Sequence, residues 1–199
     1  MTHPSTSHTG AADLTRQRVI RAALELFTTR GYHDTTTALI AKKAGIAEGT
    51  IYRHFASKQQ LVNELYRAAQ RWAAKIVQET SRDPSAGTAR AQLTAVAHGL
   101  VDGAAQETAI VRIGFLESLA PLLDDESRKT EREFRLGLER LIAEGKAQGS
   151  VRAGAVELWA GVWLAAMSLA LQKVAAGDWK PGDTGVRLVI DAAWRAISA

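Results

Sequence analysis

The chain contains no cysteine, which removes a disulfide framework, a cysteine zinc site and a thiol nucleophile in one step. A reducing cytoplasm is the compartment this absence fits. The five histidines, His3, His8, His33, His54 and His98, are not paired at metal-ligand spacing, and there is no Gly-x-Ser-x-Gly elbow or Walker loop. These gaps argue against an enzyme and lead us to expect no metal and no cofactor. The first twelve residues hold no Lys, no Arg and no apolar run. They read as a mobile tail with no secretory signal and no basic arm for a DNA minor groove. No segment alternates apolar and polar residues over a strand's length, and no internal repeat is present. A long uncharged run is missing too: in the most apolar stretch only 15 positions separate Glu157 from Lys173, short of the roughly 18 a membrane-spanning helix needs.

What is present is helical spacing almost everywhere, in 199 residues of which 46% are hydrophobic. That is enough for one sizeable core, or for a small domain joined to a larger one. The fold class is therefore all-α. A first helix is expected over about 15–29, stopped by Gly31, with Ile20, Ala23, Leu24 and Phe27 forming one stripe. Thr35 and Thr36 offer hydroxyls to cap a second helix. A third is expected over 48–55, and Ser57 caps a fourth reaching about Thr80. The Pro- and Gly-containing stretch 81–87 reads as a loop. Helices are then expected at 88–104, 107–119, 124–147, 155–176 and 183–197, with Pro121, Gly149 and the turn 178–182 as breaks.

Charge is distributed unevenly. Residues 13–58 carry eight basic side chains (Arg16, Arg18, Arg21, Arg30, Lys42, Lys43, Arg53, Lys58) against four acids (Asp13, Glu25, Asp34, Glu48), whereas the remainder carries 17 of each sign. The whole formal charge of +4 thus sits in one short segment, as a phosphate-binding module requires. That segment also holds Ala41, Gly45 and Ile51. They read as a small residue at a helix crossing, a glycine for a positive-φ turn, and an apolar residue closing the unit. With Ile40, Ala44 and Ile46 inside, a helix-turn-helix would leave Lys42, Lys43, Thr50, Tyr52, Arg53 and His54 facing outward.

At Gly31-Tyr32 through Lys58, above all at 41–46 and Gly49-Thr-Ile-Tyr-Arg-His-Phe55, the chain resembles the TetR family of bacterial transcriptional regulators. Beyond that span the resemblance rests on helix lengths and order, and on the run 144–152. It implies nine helices: three for DNA binding (13–58), a connector, and an effector-binding and dimerising remainder (59–199). It further implies a homodimer on a palindromic double-stranded DNA operator, acting as a repressor released by a small molecule; activation by the same fold remains the alternative. By the resemblance Tyr52, His54, Lys58 and Thr36 contact phosphate, a positioning role. Thr50 and Arg53 read bases, Gly49 permits close approach, and Lys42 adds charge. Ala47 stands where the family often has a capping serine, and Glu48 where it often has a lysine.

For the effector cavity the candidates are Trp72, His98, Arg112, Phe115, Glu117 and Trp163. For the dimer interface they are Trp159, Ala160, Gly161, Ala165, Met167, Val186, Ile190 and Trp194. Two other classes are weighed against this one. A helical enzyme would need a catalytic constellation the sequence lacks, and an interaction module with a basic face would bind without sequence preference.

Overall fold

The computed structural model describes residues 8–82 and 87–199. Among the described residues the secondary structure is helical, with nine α-helices and a single isolated bridge between Val151 and Ser198. Contacts divide the chain into two compact units, Met1–Leu65 and Tyr66–Ala199.

The first unit is built on α1 (His8–Arg30), α2 (Thr37–Ala44), α3 (Glu48–Ile51) and the opening turns of α4 (Lys58–Arg82). Helix α1 starts earlier than its apolar stripe suggests. Ala11 and Ala12 carry high helix propensity and outweigh the weak helix former Gly10, and no proline follows Pro4 before the helix ends. Residues 10–14 are exposed, so propensity and not packing holds these turns. The expected tail is thus helical from His8, and its residues 1–7 lie outside the described residues. Val19, Ala23 and Phe27 of α1 are buried in this unit's core, as are Ile40 and Ala41 of α2, Ile51 and Phe55.

Helix α3 is shorter than expected. After Ile51 the amides of Arg53 and His54 donate to the carbonyls three residues back, Thr50 (3.2 Å) and Ile51 (2.9 Å), tightening the chain out of α geometry. Ala47 gives its N-terminus no side-chain cap.

The second unit contains the rest of α4, α5 (Ala89–Gln106), α6 (Thr108–Val111), α7 (Asp125–Ala147), α8 (Val156–Ala175) and α9 (Thr184–Ile197). Helix α8 packs against α5, α7 and α9, burying Trp163, Met167, Ala170, Leu171 and Val174. Its length and composition alone would let it cross a membrane. Only about a third of it is buried, so an apolar face remains uncovered.

The segment expected as one helix over 107–119 is broken. Thr108–Val111 is one α turn, Arg112–Leu116 is a π turn closed by the Glu117 amide on the Arg112 carbonyl (2.9 Å), and Ala120–Leu122 is a 3-10 turn. The cause lies on α4. The buried Gln70 amide donates from Nε2 to the Gly114 carbonyl at 2.8 Å, drawing it out of the helical ladder. A Cβ on Gly114 would stand 2.7 Å from that of Ala69, so only glycine lets the π turn approach α4 this closely.

Candidate nucleic-acid interface and effector cavity

The helix-turn-helix is fixed by two small devices. Thr36 caps α2, its hydroxyl accepting from the Leu39 amide at 3.2 Å. Gly45 then adopts φ +65°, and its amide donates back to Ala41 and Lys42. Arg18 crosses from α1 to donate to the Gly45 carbonyl at 3.1 Å. The turn is therefore held from both sides, and α3 leaves it at a fixed angle.

On the outer side Thr36, Lys42, Gly49, Tyr52 and Arg53 are exposed, and Thr50 and His54 are half-buried. Tyr52 is 54% exposed although its neighbour Ile51 is buried, so the phenol is presented outward. Nothing stands within 4 Å of where a Gly49 Cβ would lie, leaving room for a close backbone approach. Lys43, by contrast, is paired with Glu25 at 2.6 Å.

Two features were not legible in the sequence. Thr37, absent from the candidates, donates to Glu48 Oε1 at 2.7 Å and lies 3.3 Å from the Tyr52 hydroxyl. A carboxylate therefore sits among the groups expected to meet phosphate. Lys58 is also placed differently from expectation. Its ammonium donates to the carbonyls of Tyr32 and Thr35, both at 2.8 Å, and lies 4.1 Å from the Tyr32 ring centroid. Burial pushes this ammonium below its ordinary value, with the Asp34 carboxylate pulling it back up. Lys58 braces the start of α4 against the α1–α2 connection, with at most one of its three donors left for phosphate.

The second unit encloses a cavity of about 480 Å³, within the size range of small-molecule sites. Of the sequence candidates Phe115 and Glu117 line it. The other four lie elsewhere. Trp72 packs over Gly103 of α5, and Trp163 is buried in the core. His98 sits on the exposed side of α5. Arg112 lies outside the lining and pairs with Glu117 at 3.1 Å. The polar lining instead comes from residues the sequence reading passed over: Tyr66, Gln70, Glu131 and Arg135. Burial, then the nearby Glu131 carboxylate, push the Tyr66 phenol well above its usual value, so it stays protonated. The signal was available: Tyr66 and Gln70 are polar residues four apart on the apolar stripe of α4.

The interface candidates divide in the same way. Ala160, Met167, Val186 and Ile190 are buried inside the protomer and cannot face a partner. Gly161 and Ala165 line the cavity. Trp159 is half-buried with the Arg152 guanidinium 5.5 Å from its ring centroid, and Trp194 is half-buried. Among the described residues of this unit the exposed large apolar side chains are Leu136 on α7, Leu158 and Leu169 on α8 and Leu188 on α9, and Leu158 and Leu169 share one face of α8 with Val162.

The chain thus joins a three-helix helix-turn-helix unit to an all-α remainder. Residues 19–65 match the family described as bacterial regulatory proteins, tetR family. It is 32% identical over 136 residues to the HTH-type transcriptional regulator TcmR of Streptomyces glaucescens, covering 65% of this chain and 59% of the relative. It is 39% identical over 69 residues to the HTH-type transcriptional regulator YvkB of Bacillus subtilis, covering 35% and 36%. The chain therefore spans less than two thirds of these relatives' own length. Among solved structures a TetR family regulator from Marinobacter aquaeolei superposes with TM-score 0.79 at 18% identity, covering 96% of this chain and 98% of the other. A tetR family protein from Rhodococcus superposes with TM-score 0.73 at 22% identity, covering 92% and 96%. These two likenesses establish the fold.

Proposed function

We propose that the chain is a homodimeric, ligand-responsive DNA-binding transcriptional regulator, a repressor released from a palindromic operator by a small molecule. The observation that carries the reading is the outward face of α3 and its following turn. Gly49, Tyr52 and Arg53 stand open, with Thr50 half-buried beside them, on a backbone whose alternate contacts, Ile51 and Phe55, are locked in the core. Arg53 is the base reader, since a guanidinium matches the paired acceptors of guanine in the major groove. Thr36, Tyr52, His54 and Lys42 fix register on the phosphates.

Dimerisation uses Leu158, Val162 and Leu169 of α8 with Leu188 of α9. A uniformly apolar helix that one protomer leaves uncovered finds its cover in a second copy. Release follows from α4, which carries both Gln70 at the cavity and Lys58 beside the helix-turn-helix. A ligand that prefers one position of α4 shifts the pair of α3 helices toward or away from operator spacing.

The test is selection of a duplex from a random pool on the immobilised full chain, followed by anisotropy titrations at several salt concentrations. A selected palindrome should bind far more tightly than scrambled duplex, with affinity falling steeply as salt rises. Equal binding of the two duplexes would refute sequence recognition.

A further inference from the structure

The cavity of the second unit carries polar groups among its apolar wall. Gln70 is 1% exposed and lines it. Its amide orientation is fixed, because Nε2 donates to the Gly114 carbonyl and a carbonyl accepts only from the nitrogen side. Oε1 is left buried with no hydrogen-bond partner. A buried acceptor without a donor is costly, and native interiors rarely tolerate one outside a site where something else supplies the donor.

Every charge on the wall is already matched. Glu131 accepts from Arg135 at 3.2 Å, and Glu117 is paired with Arg112. Ser168 donates its hydroxyl proton to the Ala165 carbonyl at 2.7 Å, leaving lone pairs toward the surroundings. No unmatched carboxylate invites a cation, and no unmatched guanidinium invites an anion. Beside these groups Phe115 and Phe134 form an edge-to-face pair with centroids 5.6 Å apart, a surface suited to a flat apolar body.

We propose that the occupant of this cavity is an uncharged molecule with a planar apolar body and one hydrogen-bond donor, a hydroxyl or amide N–H, delivered to Gln70 Oε1. The proposal rests on the ligand-responsive reading above and supplies the chemistry of the ligand. Its seat is the residue that also holds the π turn to α4. An occupant bonded to Gln70 therefore pulls on the same side chain that sets the distance between those two elements.

The probes are 4-hydroxybiphenyl, 4-methoxybiphenyl and biphenyl-4-carboxylate, titrated calorimetrically into the full chain. The phenol should bind about ten-fold more tightly than the methyl ether, which accepts but cannot donate, and more tightly than the carboxylate. In Gln70→Leu the phenol and the ether should converge. Should that variant fail to fold, the order of the three probes on the unaltered chain decides alone. An ether that matches the phenol, a carboxylate that binds best, or no binding by any of the three overturns the proposal. The same phenol is added to the chain bound to its selected duplex. If the phenol binds in the expected order yet leaves DNA affinity unchanged, ligand-responsiveness fails while the occupant's chemistry stands.

Discussion

Replacing Lys58 by methionine separates two roles that the same ammonium has been assigned. The structure makes it a brace: two bonds of 2.8 Å to the Tyr32 and Thr35 carbonyls, with the Tyr32 ring beneath. Hydrogen bonds to a charged group contribute about 1.5–3 kcal/mol each, and a partly exposed cation over a ring about 0.5 kcal/mol. The desolvation that lowers this ammonium's protonation offsets part of that sum, and methionine keeps most of the stem's packing. A net loss of about 2 kcal/mol remains. For a chain of this length each kcal/mol is about 2–4 °C in Tm, so Lys58→Met should melt about 4–8 °C lower by circular dichroism. DNA affinity measured well below that Tm should fall modestly, with the salt slope unchanged. A variant that melts within a degree of the parent and loses about one unit of salt slope would refute the brace and restore a direct phosphate contact.

Three further outcomes follow from the same geometry. Glu48→Gln removes the carboxylate that accepts from Thr37 beside Tyr52, and should raise duplex affinity several-fold at about 0.1 M salt, read by anisotropy; unchanged or weaker binding defeats the reasoning. Leu169→Glu combined with Leu188→Glu places charges on the uncovered face of α8 and α9, and light scattering should show a monomer whose helix content is retained; a persistent dimer would place the interface elsewhere. Asp124→Ala deletes the cap of α7 and the 3.0 Å pair with Arg67, costing about 1–2 kcal/mol near neutral pH. Burial would raise the Asp124 carboxyl, but the Ser127 hydroxyl and amide and the Arg67 guanidinium outweigh it and hold the group below its ordinary value. The ionised form is the one favoured in the folded state. The parent's advantage over Asp124→Ala should therefore be full above about pH 4 and shrink as pH falls through the depressed value, and an advantage that grows on acidification contradicts the assignment.

The helix-turn-helix was legible because its constraints are local. Ala41 must be small, Gly45 must take positive φ, and Ile51 must be apolar within a dozen residues of one another, so spacing carries the geometry. The cavity was legible only in part. Phe115 and Glu117 announce themselves as an aromatic and an acid on one short segment. Gln70 does not, because its role depends on Gly114, 44 residues away, and the π turn it creates leaves no periodic trace. Helix α8 failed for the opposite reason. It is apolar on every side, so no stripe distinguishes the face that buries Met167 from the face that exposes Leu169. Small and bulky residues were then equally plausible at the interface, and half of those chosen proved to be core. For Lys58 the sequence pointed to a cation at the start of α4, and only the structure shows which acceptors it meets.

The π turn at Arg112–Leu116 has a consequence for how such a protein could change over generations. A π turn accommodates one residue more than an α turn closing over the same distance, so it is a place where the chain's length is negotiable. Loss of a single codon there would return the segment to α register and leave the flanking helices where they are. Phe115, inside the turn, would however be turned to a different bearing by about 100°. The wall of the cavity could then be rewritten in one genetic step, while the flanking helices keep their sequence.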